Sequence, residues 1–128
     1  MVTTAIGTTQ PMIKNPPLEG WLEKQSRVLR VWKKRWVVLE NSKIYSFKYE
    51  KDYNNPTEVI DLAIFSSVKS SEDQTRRAYS FDVYSTEYGF SFCAPNAESK
   101  EAWIRAIGRA IVMARTSNWQ EDVGAYGE

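Results

Sequence analysis

Residues 18–40, LEGWLEKQSRVLRVWKKRWVVLE, contain two strand-like runs on either side of a short basic segment. Tryptophan and β-branched residues are dense in these runs, which is typical of β-strands. We predict strands over 18–25 and 32–40, joined by a hairpin loop. A tight turn at 41–42 leads into a third predicted strand over 43–49, so the folded part of the chain begins as an antiparallel meander.

Outside this region, four more strand-like segments follow, and the apolar period then changes. The four segments are 58–62, 65–69, 78–84 and 88–94. After Asn96, a good helix N-cap, apolar residues recur at spacings of three and four as far as Arg115, with Trp103 and Ile107 on the apolar stripe. Seven strands and one helix predict a β-rich α+β fold. We expect a strongly bent antiparallel sandwich or partly open barrel, with the C-terminal helix capping one end.

The composition fits one domain of 128 residues with loose ends. We predict a flexible lead-in over 1–17, a folded domain over 18–115 and a polar tail over 116–128. The single cysteine, Cys93, allows no internal disulfide, so we expect the protein to be in a reducing, cytoplasmic compartment. Because Cys93 sits in a strand-like run, we expect it to be a small core residue. No apolar run approaches the ~20 residues of a membrane-spanning helix, so any membrane contact is predicted to be peripheral.

The segment 24–35 is strongly basic, although the formal net charge of the chain is only +1. It contains no acid and six cations: Lys24, Arg27, Arg30, Lys33, Lys34 and Arg35. Val28 and Leu29 lie between them, near the tip of the predicted hairpin. A cationic loop with an apolar tip suits the anionic face of a membrane, where each cation contributes about 1 kcal/mol. We expect Arg27 and Arg30 to contact head groups, and Val28 and Leu29 to insert shallowly.

Alternation along the strands predicts which cations share a pocket. Residues two apart share a face, so Lys33 and Arg35 lie on the same face as Val37. If Val37 points into the core, these cations point the same way nearer the mouth, where they need water or an anion. Lys24 has the matching position on the first strand. Counting back across the turn places Lys48 opposite Arg35 as a fourth pocket cation.

In three separated motifs, the chain resembles the pleckstrin homology domain family. The motifs are EGWLEK at 19–24, WKKRWVVL at 32–39, and CAP at 93–95 followed by KEAWI at 100–104. The resemblance spans about 18–115 and implies seven antiparallel strands in two near-orthogonal sheets, capped by a helix. It also implies phosphoinositide binding, because Lys24, Lys33 and Arg35 match the family's head-group positions.

One departure from the family pattern leaves the lipid open. Members selective for 3-phosphorylated inositides often have a Tyr on the third strand and a basic residue after it. Here these places hold Ser46 and the uncharged segment 54–57. A bisphosphorylated or monophosphorylated phosphoinositide, phosphatidic acid and phosphatidylserine are therefore all candidate partners.

Other functions were weighed against membrane binding. A protein-interaction module of the same fold is the main alternative, and it predicts an exposed apolar patch or a free strand edge. Nucleic acid is disfavoured because the isoelectric point of about 7.8 is not basic enough. The chain has no histidine, the commonest catalytic base and metal ligand, and no glycine-rich phosphate loop. We therefore predict no catalytic residues, no metal and no cofactor.

Overall fold

The structure, a computed structural model, describes residues 13–26, 29–65 and 67–126, with side chains described as far as residue 116. Within these residues, seven strands form one antiparallel sheet: β1 Leu18–Gln25, β2 Trp32–Glu40, β3 Lys43–Phe47, β4 Glu58–Asp61, β5 Ser67–Ser70, β6 Ser80–Tyr84 and β7 Gly89–Cys93. Their order is β4-β3-β2-β1-β7-β6-β5, so β4 and β5 are the two edges and the sheet is open. The seven predicted strands and the antiparallel architecture are confirmed.

Strand β1 joins the two halves of the sheet. It pairs with β2 along its whole length, from Leu18 opposite Leu39 to Gln25 opposite Trp32. Its pairing with β7 is confined to two residues near its end, where Lys24 lies opposite Phe92. Only the last part of β1 therefore belongs to both halves, and the two halves contribute residues to one core.

Two helices complete the described fold, α1 at Glu72–Thr75 and α2 at Ala97–Tyr126. Helix α2 begins as predicted: the Asn96 side-chain oxygen accepts a hydrogen bond of 2.8 Å from the backbone N–H of Ser99. The short helix α1 was missed, since the sequence predicts only a polar loop over 70–76. Its four residues form a single turn, which carries no apolar periodicity that a sequence pattern can reveal.

Helix α2 extends past Arg115, where the apolar stripe predicts its end. It therefore occupies most of the segment for which a loose tail over 116–128 is predicted. Neither Gly nor Pro occurs between Gly108 and Gly124 to break the helix. The Thr116 hydroxyl donates a hydrogen bond of 3.0 Å to the carbonyl oxygen of Val112 within the same helix.

The strand boundaries differ most around the fourth and fifth strands. Residues Leu62–Ile64 form a 3-10 turn, in which the Asp61 carboxylate accepts a hydrogen bond of 3.0 Å from the N–H of Ala63. This side-chain bond competes with strand pairing, so β4 ends at Asp61. Phe65 is buried in the core but precedes β5, which the sequence pattern starts too early.

The main core lies between the inner face of the bent sheet and α2. It is built from the inward residues of the strands together with the apolar stripe of the helix, where Trp103 is only 2% exposed. Cys93 is also buried, and its thiol donates to the carbonyl oxygen of Ala78 at 3.0 Å. A second, smaller cluster covers the outer face of β1–β3, with Trp36, Val38 and Phe47 buried. The helix thus closes one end of the sheet, and the β1–β2 loop lies at the other.

Candidate functional site

Backbone hydrogen bonds join the two ends of the β1–β2 loop. Ser26 N–H donates to the carbonyl oxygen of Val31 at 2.8 Å, and Arg30 N–H donates to the carbonyl oxygen of Ser26 at 3.0 Å. Arg30 has a φ of 57°, in the left-handed region, which turns the chain back toward β2. The Ser26 hydroxyl accepts a bond of 3.2 Å from Leu29 N–H, and the Leu29 side chain is 71% exposed. The loop therefore presents an apolar side chain at its tip.

Two of the predicted loop contacts, Arg27 and Val28, lie outside the described residues. Arg30, the other predicted loop cation, is exposed. Val31, at the foot of the loop, is 47% exposed. The described part of the loop thus combines one free cation position with two exposed apolar side chains.

The strand register places Lys24, Lys33 and Arg35, the three cations predicted to share a pocket, on the inner face of β1 and β2. Lys24 lies directly opposite Lys33, and Leu22 lies opposite Arg35. Leu22 belongs to the main core, so these cations continue the core-facing side of the hairpin toward its open end. Lys33 is exposed, and Arg35 is half-buried with its Nη1 donating to the carbonyl oxygen of Lys34 at 2.9 Å.

Lys48 follows the last residue of β3 and is exposed. Trp36 pairs with Phe47 in the ladder between β2 and β3. The next step of the same register puts Lys48 opposite Arg35, as alternation along the strands predicts. The observed pairing ends at Trp36 and Phe47, so Lys48 directly follows the last paired residue of β3.

Lys24 has a partner that sequence reasoning missed. Its ammonium group forms an ion pair with the Glu58 carboxylate, and the two side chains are only 10% and 13% exposed. The same nitrogen lies 4.9 Å from the centroid of the Phe90 ring. In the sheet order, β4 is three positions away from β1, so this ion pair crosses the interior of the bent sheet. Lys24 is not a freely available cation in this conformation.

A signal for Glu58 was present in the sequence. Glu58 precedes Ile60 by two residues, and Ile60 is a core residue, so alternation predicts that Glu58 faces inward as well. Its cross-strand neighbour Ser46 is 1% exposed, and no hydrogen-bond partner for the Ser46 hydroxyl occurs among the described residues. Strand alternation alone does not show which strand lies across the interior from β1. The sequence therefore could not identify Glu58 as the partner of Lys24.

The outer face of the same hairpin is closed by aromatic contacts. The Lys34 ammonium lies 4.6 Å from the Trp21 ring centroid, on the opposite face from Lys33, as alternation predicts. The Glu19 carboxylate accepts hydrogen bonds from the Trp36 indole N–H at 3.0 Å and from the Tyr53 hydroxyl at 2.6 Å. Burial and the bond to Glu19 raise the pKa of Tyr53 to about 12.

Arg77, which lies between α1 and β6, contacts the outer face of the hairpin. Its guanidinium lies 4.6 Å from the Trp32 ring centroid and forms an ion pair with Glu23. Both cations of the outer face that these contacts describe, Lys34 and Arg77, are therefore packed on indole rings. Lys34 is nevertheless exposed, as are Lys33 on the inner face and Arg30 in the loop.

The comparison with known proteins gives the family. A model of the PH domain matches residues 16–112. The chain is 34% identical over 116 residues to Pleckstrin homology domain-containing protein 1 of Arabidopsis thaliana, covering 88% of this chain and 80% of that protein. It is 33% identical over 98 residues to human Arf-GAP with coiled-coil, ANK repeat and PH domain-containing protein 2, covering 76% of this chain and 12% of that protein. The chain belongs to the pleckstrin homology domain family.

Solved structures show the same fold. A solution structure of a pleckstrin homology domain has a TM-score of 0.70 and 31% identity, covering 82% of this chain and 93% of that one. The PH domain of Slm1 in complex with phosphoserine has a TM-score of 0.65 at 20% identity, with coverage of 76% and 96%. The C-terminal PH domain of pleckstrin in complex with D-myo-Ins(1,2,3,4,5)P5 has a TM-score of 0.58 at 22% identity, with coverage of 77% and 97%.

Two features are absent from the described residues. None of the helices in this part of the chain is long and apolar enough to cross a membrane. Among the described His, Cys, Asp and Glu side chains, no group of three or more is arranged to hold a metal ion.

Proposed function

We propose that this chain is a non-catalytic recruitment module that binds anionic phospholipid head groups at the cytosolic face of a membrane. The proposal is supported by the placement of Lys33 and Arg35 on the inner face of β2 and of Lys48 directly after β3. None of the three is in an ion pair within the described part of the chain. Cations that lie at the edge of an apolar interior and have no acidic partner are suited to binding phosphate. The planar guanidinium of Arg35 can donate two parallel hydrogen bonds to a phosphate, and each lysine ammonium acts as a point charge.

The β1–β2 loop supports the same function. Arg30 and Leu29 are exposed on it, and backbone hydrogen bonds join the two ends of the loop. Loop ends that are already joined lose less conformational entropy on binding. Partial burial of such a side chain in the interface region adds about 1 kcal/mol to the contribution of the cations.

Phosphate-bearing anions bound by proteins of the same fold support the ligand class. The Slm1 domain was solved with phosphoserine, and the pleckstrin domain was solved with an inositol pentakisphosphate. For this chain we propose a phosphoinositide, phosphatidic acid or phosphatidylserine head group. The cation cluster would bind the phosphate, and Leu29 would contact the hydrocarbon boundary.

A second candidate function is protein interaction with only nonspecific lipid contact. Val112 and Met113 are adjacent on α2 and are 61% and 62% exposed. The sheet also has two open edges, β4 and β5. Exposed apolar side chains and free edges are features of interaction modules. Val112 and Met113 lie on α2, apart from the basic cations, so the two functions predict different effects of removing Lys33 and Arg35.

Vesicle co-sedimentation tests the proposal. The vesicles contain phosphatidylserine, phosphatidic acid, or a mono- or bisphosphorylated phosphoinositide, at matched total charge. The double variant Lys33→Ala/Arg35→Ala is expected to bind roughly thirtyfold more weakly to the preferred vesicle, since two cations contribute about 2 kcal/mol. The matched control is Arg105→Ala/Arg109→Ala, which removes two exposed cations of α2.

The outcomes separate the two functions. Loss with the first variant and not with the second supports head-group capture at the basic end. Equal losses with both variants would show that binding follows net charge alone. If wild type binds no vesicle at low salt, the membrane proposal fails and protein interaction becomes the better explanation.

A further inference from the structure

The ion pair between Lys24 and Glu58 lies at the inner mouth of the proposed head-group site. Lys24 is cross-strand to Lys33, and Glu58 is cross-strand to Ser46. Both charged side chains are about nine-tenths removed from solvent. Water therefore screens this pair much less than it screens the exposed charges of the surrounding loops.

Stability alone is a weak explanation for a buried ion pair at this position. Removing two charges from water has a cost that their attraction often only matches, and apolar residues of similar size are frequently as good or better. The Phe90 ring lies 4.9 Å from the Lys24 nitrogen, and Ser46 is the cross-strand neighbour of Glu58. Its clear consequence is electrostatic: the acid cancels the charge of the cation that lies deepest in the basic cluster.

We propose that Glu58 is a specificity-determining residue, which holds Lys24 as its counterion and limits the number of phosphates that the site accepts. This inference rests on the proposed head-group function. A head group with a single phosphate reaches Lys33, Arg35 and Lys48 near the surface. Additional phosphates on the same ring approach Glu58, where like charges repel and Lys24 is already occupied.

Position distinguishes Glu58 from the other acids at this end of the domain. Glu87 lies in the turn between β6 and β7, and Glu50 and Asp52 lie between β3 and β4, and all three are exposed. An exposed carboxylate turns toward solvent and is screened by salt. Glu87→Gln is therefore a matched control, because it changes the net charge by the same amount at the same end.

A cycle of variants tests the proposal: Glu58→Gln, Lys24→Gln and the double variant, each checked for folding by thermal melting. The probes are vesicles with mono-, bis- or trisphosphorylated phosphoinositides, and phosphatidylserine vesicles of the same total charge. Glu58→Gln is expected to tighten binding to the bis- and trisphosphorylated lipids about tenfold, which lies between the strength of a pair of unit charges in bulk water and that of the same pair near a protein surface. Binding to phosphatidylserine is expected to change less than about twofold, and Glu87→Gln is expected to change neither.

The double variant gives the sharper result, since it contains neither buried charge and does not depend on a lone charge being tolerated. If Lys24 and Glu58 cancel each other's charge, as proposed, the double variant binds like wild type. If Lys24 itself captures the head group and Glu58 is a bystander, the double variant loses affinity together with Lys24→Gln. That loss, or an unchanged affinity of Glu58→Gln, overturns the proposal.

The proposed function and this inference fail in different ways. If neither wild type nor Glu58→Gln binds any vesicle, head-group binding is wrong and the inference falls with it. If wild type binds and Lys33→Ala/Arg35→Ala abolishes binding, while Glu58→Gln leaves selectivity unchanged, only the role of Glu58 is wrong. If Glu58→Gln increases the affinity for phosphatidylserine vesicles as much as the affinity for bisphosphate vesicles, the proposed role of Glu58 in selectivity is also wrong, because such a gain depends only on net charge.

Discussion

The two ends of this bent sheet are built from the same strands and carry opposite chemistry. At the helix end, α2 covers the sheet and buries Trp103 and Ile107 among apolar side chains. At the loop end, β1 and β2 continue past the core and place Lys33 and Arg35 on its inward-facing side. The closed end contributes buried side chains to the core and hence to stability, whereas Lys33 and Arg35 at the open end form no ion pair among the described residues and belong to the proposed binding site.

The largest expected effect is at the helix end. Trp103→Ala removes a fully buried indole and is expected to lower the free energy of unfolding by about 3–5 kcal/mol, because the cavity adds to the lost transfer energy. Chemical denaturation measures this change. The control is Ile64→Ala, whose side chain is 61% exposed and which is expected to change stability by less than about 0.5 kcal/mol. Similar losses of unfolding free energy in both variants would contradict the expectation that the buried side chains of α2 contribute more to stability than an exposed side chain next to it.

An intermediate effect is expected on the outer face of the hairpin, which belongs to neither end. Glu19→Ala leaves the Trp36 indole N–H and the Tyr53 hydroxyl without their acceptor. Unsatisfied, partly buried donors cost about 1–3 kcal/mol, and the same denaturation experiment measures the loss. Glu19→Gln retains one acceptor oxygen and is expected to recover part of it. Equal stability of Glu19→Ala and wild type would mean that water replaces the carboxylate.

A smaller effect, on binding rather than stability, is expected at the loop tip. Leu29→Ser removes an exposed apolar side chain, so the melting temperature stays unchanged. Vesicle affinity is expected to fall about fivefold, corresponding to about 1 kcal/mol of partial burial. Ile64→Ser is the matched control, because it removes another exposed apolar side chain next to α2. A decrease in vesicle affinity with Ile64→Ser as well would remove the distinction between the two ends.

The smallest effect concerns pH at the contact between α1 and α2. Glu72 lies 2.9 Å from the Lys100 ammonium, and its carboxylate accepts a bond of 2.6 Å from the backbone N–H of Tyr79. The bond from Lys100, and then the one from Tyr79, hold the pKa of Glu72 below its ordinary 4.5. A lowered pKa stabilises the fold above pH 4.5, and this contribution is lost as the pH falls through the lowered value.

Thermal melting of wild type and Glu72→Gln at several pH values tests this sign. Wild type is expected to melt slightly higher at pH 7, and the difference is expected to shrink below pH 4.5. The effect is small because the carboxylate is exposed to solvent and salt. A difference that stays constant from pH 7 to pH 3 would show that the Glu72 charge has no part in the contact.

Much of the architecture follows from local patterns. The tryptophan-rich runs predict the β1–β2 hairpin, and their alternation predicts that Lys33, Arg35 and Val37 share a face, as the register shows. The spacing of three and four predicts the buried stripe of α2. These predictions succeed because strand alternation and helix periodicity depend on neighbours only a few residues apart.

The remaining features depend on how distant segments meet. The order of the residues specifies the strands, the faces of their side chains and the basic loop with its apolar tip. The ion pair of Lys24 with Glu58 depends on the tertiary structure, because the bent sheet places β4 across the interior from β1. Local patterns carry no information on that distance, because the bend is set by the packing of the whole core. The tertiary structure therefore determines which of the predicted cations are left free to bind an anion.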